Sequence, residues 1–184
     1  MDDGPGFLST AMAIETLLPT ERSLAGATRT ILDRLLGAGY ENIDAPEDKR
    51  IEIDCLDGES GEEWGVVAPE TTAMALFTRI QETPTTVRVK LGLRSGHIIL
   101  FPGFVVLSRP GDDFEAFEDD PRAQAILLRE GYELARHLGA TELIVAGDAA
   151  SDFIGTDATT WVGLKDVLEE EEIPHRLQPV PKAK

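Results

Sequence analysis

Cysteine is nearly missing from this chain: Cys55 stands alone among 184 residues. One thiol cannot form an internal disulfide. This excludes the small disulfide-stapled secreted domains and leads us to expect a reducing, cytoplasmic setting. Histidine is scarce too, with only His97, His137 and His175. With a single cysteine they lack the number and spacing of a zinc site. They fall at a turn, near a helix end and before the last strand, a scatter that argues against a histidine-based catalytic centre. Cys55 itself faces inward in an alternating strand, where a small buried hydrophobe is expected.

Long apolar runs are absent. The longest, residues 98–107, is broken by Pro102-Gly103 and falls short of the roughly 18 residues of a membrane span. The stretch MDDGPGFLSTAMAIETLL has acidic flanks and no Lys or Arg, a poor match to a signal peptide. Phosphate cradles are missing as well, since neither G-x-x-x-x-G-K-[ST] nor G-x-G-x-x-G occurs. The nucleophile elbow G-x-S-x-G and the EF-hand series are also not found. No cofactor and no metal are expected.

Positive charge is in short supply: 17 Lys and Arg face 34 Asp and Glu, a net charge of −17. Affinity for phosphate backbones comes mainly from Lys and Arg, so nucleic acid is not expected as a partner, nor is an anionic membrane. A basic protein would be attracted and its approach steered. The remaining composition, 42% hydrophobic and 28% charged, is ordinary for a globular protein. The length fits a single domain over 1–184 that buries a proper core.

The hydrophobic spacing supplies the elements. Residues 1–19 read as a possible peripheral helix ended by Pro19. Leu24, Thr28, Ile31 and Leu35 then recur at helical steps, with Thr20 as the expected cap and Gly39 as the stop. Ile51, Ile53 and Cys55 alternate with Glu52 and Asp54 as in a half-buried strand, and EEWGVV returns as its partner. A short helix is predicted near 70–81. VRVKLGLR is the cleanest strand, with Val87, Val89, Leu91 and Leu93 on one face and Arg88, Lys90 and Arg94 on the other. HIILF reads as a central strand covered on both faces, and FVVL as its continuation or the next strand. Residues 109–120 read as an acidic surface loop. Asp120-Pro121 opens a helix to Leu138, with Gly131 on its inner face and Gly139 at its end. Strand 142–146, a helix over 158–172 with Trp161, a last strand in IPHRLQPV and a frayed tail at 181–184 complete the chain. The fold class is α+β (mixed α/β): a largely antiparallel sheet with helices packed on it. The final helix-strand-helix-strand unit has the rhythm of parallel crossovers.

Two surface features point to function. Acids segregate: residues 112–120 hold six and no base, residues 41–63 hold ten against Lys49 and Arg50, and Glu169 to Glu172 follow one another. The row Arg88, Lys90, Arg94 is a basic island. The leading expectation is therefore a protein-binding module of the inhibitor or immunity type. It would occlude a basic partner with Phe114 and Phe117 as anchors, ringed by Asp112, Asp113, Glu115, Asp119 and Asp120. The alternative is an enzyme using Asp148 at the carboxyl end of strand 142–146, where a parallel sheet would place a ligand crevice. There, Asp148, Asp152 and Asp157 would be available to a cation. A third possibility is an accessory subunit docking through the apolar segment 7–18.

Overall fold

The computed structural model describes residues 13–40, 47–66, 73–110, 114–147 and 160–182. Among the described residues eight strands form one sheet: β1 (Ala13–Pro19), β2 (Glu52–Asp57), β3 (Glu63–Val66), β4 (Thr86–Leu93), β5 (Gly96–Phe101), β6 (Phe104–Pro110), β7 (Glu142–Gly147) and β8 (His175–Pro179). Their order is β3-β2-β4-β5-β6-β1-β7-β8, and every pairing is antiparallel. The α-helices among the described residues are α1 (Leu24–Gly37), α2 (Ala73–Glu82), α3 (Phe114–Asp119), α4 (Pro121–Leu138) and α5 (Trp161–Glu170). This is an α+β fold.

Pleating assigns alternate residues of each strand to opposite faces. On one face, Ile14, Leu18, Val89, Leu91, Leu100, Leu143 and Val145 pack against α1 to α4. On the other, Leu17, Phe104, Val106, Ile144 and Ala146 pack against Leu164 and Leu168 of α5. The second cover is partial. Ile98 and Leu100 of β5 are buried beneath the first helix layer, whereas His97, Ile99 and Phe101 on the α5 side are only half-buried. The expectation that β5 is covered on both faces therefore holds fully for one face and in part for the other, where Ile99 and Phe101 pack against the α5-side core. Over β2 and β4 the same side carries exposed Glu52 and half-buried Asp54, Lys90 and Gly92.

Several local readings match the structure. Asp120 caps α4 by accepting from Arg122 N and Ala123 N, Pro121 stands at its first position, and Gly139 ends it in the left-handed conformation at φ 74°. The irregularity at Pro102-Gly103 is a hairpin turn joining β5 to β6. Proline presets φ at its first central position and Gly103 takes φ 95° at the second. Ser23, rather than Thr20, caps α1, accepting from Gly26 N.

Three expectations are corrected. Residues 13–19 are not part of a peripheral helix. They form β1, hydrogen-bonded between β6 and β7 and buried on both faces. A strand buried on both sides has no alternation to betray it, so its run of apolar residues imitates a helix. Residues 114–119 are helix, not loop. Finally, β7 has no parallel neighbour: it runs antiparallel to both β1 and β8. The crossover rhythm is nevertheless real. Strands β6 and β7 both oppose β1 and so run in the same direction, with α3 and α4 connecting them past the strand in between.

Candidate functional site

The sites expected from sequence are separated by the fold. Asp112, Asp113, Asp148, Asp152 and Asp157 lie outside the described residues. Of the acidic segment that remains, Glu115, Asp119 and Asp120 are exposed. Phe114 and Phe117 are not surface anchors. Spaced three apart on α3, both rings turn to the same side and enter the core, Phe117 at 1% exposure, with centroids 6.0 Å apart. They fasten α3 to the sheet and leave its acids outside. Residues 13–18 of the expected docking segment belong to the interior strand β1, and 14–18 are buried.

The outcome is an acidic corner where α3 meets α4. Glu115 and Asp119 project from it. Asp120 is engaged as the α4 cap, and Glu118 is paired with Arg176 of β8 at 3.3 Å. At this corner lies a cleft of about 240 Å³ lined by Ala116, Ala123, Leu127, Arg109, Asp120 and exposed Ile126. A broader cleft of about 710 Å³ lies at the opposite end of β1, with Pro19, Gly103, Glu142 and Trp161 in its wall. Its Glu142 carboxylate is already held by the Trp161 indole at 2.6 Å and the Lys165 ammonium at 2.9 Å. These two hydrogen bonds, the indole's first, keep its pKa below the ordinary carboxyl value.

The basic island is paired at one of its three members, and Arg94 is exposed. Arg88 forms an ion pair with Glu63, and Lys90 stands directly across from Asp54. Cys55 is fully buried, and burial pushes its thiol up to about 12, so it is no nucleophile in the folded protein.

The pairing registers reveal an arrangement that sequence reasoning missed. One line of mutually opposed residues crosses the sheet on its α5 face: Glu52, Gly92, His97, Ser108, Glu15, Ala146 and His175. Directly opposed residues bring their Cβ atoms to about 4.5–5.5 Å. Glu15 is 3% and Ser108 9% exposed. Burial and the Lys90 ammonium hold His97 below its ordinary value, against the opposing pull of Asp54 and Glu52. Gly92 leaves a gap in the line, and the Glu52 carboxylate lies over it: a Cβ at 92 would stand 3.8 Å from Glu52 Oε2. The only sequence clue was the polar residue in each apolar strand, such as Glu15 in AIETLL.

Among the described residues no group of three or more His, Cys, Asp or Glu side chains is arranged to hold a metal, and no helix is long and apolar enough to cross a membrane. Compared with known proteins, the chain matches no family model, no curated protein and no solved structure.

Proposed function

We propose that this protein is a small acidic binding module that occludes a basic surface on another protein, using the α3–α4 corner. One observation supports the reading above the others: a cleft walled by Ala116, Ala123, Ile126 and Leu127 also carries the Asp120 carboxylate, at the helix corner where Glu115 and Asp119 are exposed. An interface needs a desolvated apolar centre for affinity and a charged rim for steering and specificity. The two buried phenylalanines give this corner rigidity instead of contact, so it enters a complex already shaped. The anchor then comes from the partner, as an aliphatic or basic side chain seated in the cleft.

The net charge of −17 favours a cationic partner at long range. The association rate should fall steeply with ionic strength. The test is affinity capture from the source organism's extract at low and high salt, followed by kinetics with the purified partner. Replacing Glu115→Gln and Asp119→Asn together should slow association and leave dissociation nearly unchanged. Ile126→Glu should accelerate dissociation. Binding that is indifferent to all three changes removes the corner as the site. Asp120 is left intact because its carboxylate caps α4.

A further inference from the structure

The polar line places a carboxyl and a hydroxyl, Glu15 and Ser108, one register step from Leu17 and Val106, which bury hydrocarbon on the same face. The order of groups carries chemical meaning. Reading from β2 inward come a carboxylate (Glu52), a strand position without a side chain (Gly92), an imidazole (His97) and a hydroxyl (Ser108). Nucleophilic catalysis by serine needs this sequence of groups: an acid that orients an imidazole, and an imidazole that takes the hydroxyl proton. Gly92 leaves the space between Glu52 and His97 free of a side chain. Any side chain there would separate Glu52 from His97, whereas with glycine the carboxylate lies over β4.

We propose that Ser108 is the nucleophile of an ester-hydrolysing site, with His97 as its base and Glu52 as the residue that positions the imidazole. The substrate is a short acyl ester. It approaches over His97 and Gly92, from the half of the sheet that α5 leaves uncovered among the described elements. Half-buried Ile99, beside His97 on the same face, offers an apolar rest for the acyl chain. The low exposure of Ser108 restricts that chain to a small one.

The steps balance. Ser108 Oγ bonds to the acyl carbon as His97 takes its proton. The C–O bond to the leaving alcohol breaks, and His97 returns the proton to that alcohol. Water, giving its proton to His97, then attacks the acyl-serine, and the Ser108 C–O bond breaks to release the acid. Ester and water become acid and alcohol, with no further reactant. Neutral His97 suits this role, since its burial and Lys90 disfavour the protonated form. The charged groups around it are Glu52, Asp54 and Lys90, with Glu15 beyond Ser108. Neither the acidic corner nor any partner enters this proposal.

The test uses the full chain, a fluorophosphonate probe and p-nitrophenyl butyrate. The native protein should be labelled on the peptide that contains Ser108, and heat-unfolded protein should not. Ser108→Ala, with folding checked by circular dichroism, should lose both labelling and hydrolysis. His97→Gln should slow hydrolysis about 100-fold or more. Glu52→Gln should move the acid limb of the pH–rate profile to lower pH, because the carboxylate raises the His97 pKa, and Glu52→Asp should restore part of that shift. Native wild-type protein that remains unlabelled at Ser108 overturns the proposal without reference to any variant. So does hydrolysis that survives in folded Ser108→Ala.

Discussion

Gly131 of α4 lies against Thr16 of β1 so closely that a Cβ at 131 would come within 3.1 Å of both Thr16 Cγ2 and Leu143 Cδ2. Thr16 and Leu143 are both completely buried, so neither has room to withdraw. Alanine gains about 1 kcal/mol over glycine in a helix interior, but overpacking a closed core costs about 1–3 kcal/mol. Gly131→Ala should therefore be destabilising by about 1 kcal/mol in urea unfolding, and Gly131→Val by clearly more. An alanine variant more stable than the wild type would mean that α4 rides higher on the sheet than its contacts indicate.

Asp120 separates capping from charge. Its carboxylate accepts from Arg122 N at 2.8 Å and Ala123 N at 3.2 Å. Asp120→Ala should cost about 1 kcal/mol of stability, whereas Asp120→Asn, which keeps an acceptor, should cost only a few tenths. Thermal unfolding of the two variants side by side makes the measurement.

Glu142 ties β7 to α5 through Trp161 and Lys165. Its pKa is held down in the folded state, so its contribution is fully present above the unfolded value and is lost as pH falls through the folded one. Glu142→Gln should cost about 1 kcal/mol at neutral pH. The gap from the wild type should narrow below the ordinary carboxyl value of 4.5 and close in stronger acid. Denaturant midpoints collected across that range give the comparison. A gap that persists in strong acid would assign the effect to packing around Trp161.

Cys55 should be silent in the native protein. It is fully buried, and its thiol is pushed up to about 12 by that burial. A disulfide exchange reagent at mildly alkaline pH should modify it no faster than the chain unfolds, and at once in denaturant. Rapid modification under native conditions would show that β2 opens locally, beneath α2.

The sequence was most informative wherever one face of an element meets water. Alternation in VRVKLGLR and the Asp120-Pro121 to Gly139 frame were readable because the solvent side breaks the apolar pattern. It was least informative where that side disappears. In AIETLLP both faces are buried, and the run passes for a helix. Phe114 and Phe117 were read as exposed because acids surround them. Their spacing on one side of a helix turn carried the better signal, since a short helix can bury one stripe and expose the rest. The His97–Ser108–Glu15 line was beyond local reading altogether. It exists only through three-strand registers that join residue 15 to 108 and 108 to 97, and no window of sequence contains them.

The position of β1 between β6 and β7 also has a consequence in time. Strands β4, β5 and β6 follow one another as a meander and can pair as soon as each is made. Strand β1 precedes them all, yet Ile14 pairs with Arg109 on one side and Gly147 on the other. It must therefore wait through most of synthesis with Leu17 and Leu18 uncovered. Contacts this distant along the chain slow folding. Closure of the sheet is thus a late event in which the earliest of these strands is inserted into a slot built by the latest, and a ribosome-stalled chain ending before β7 should hold β1 by one edge at most.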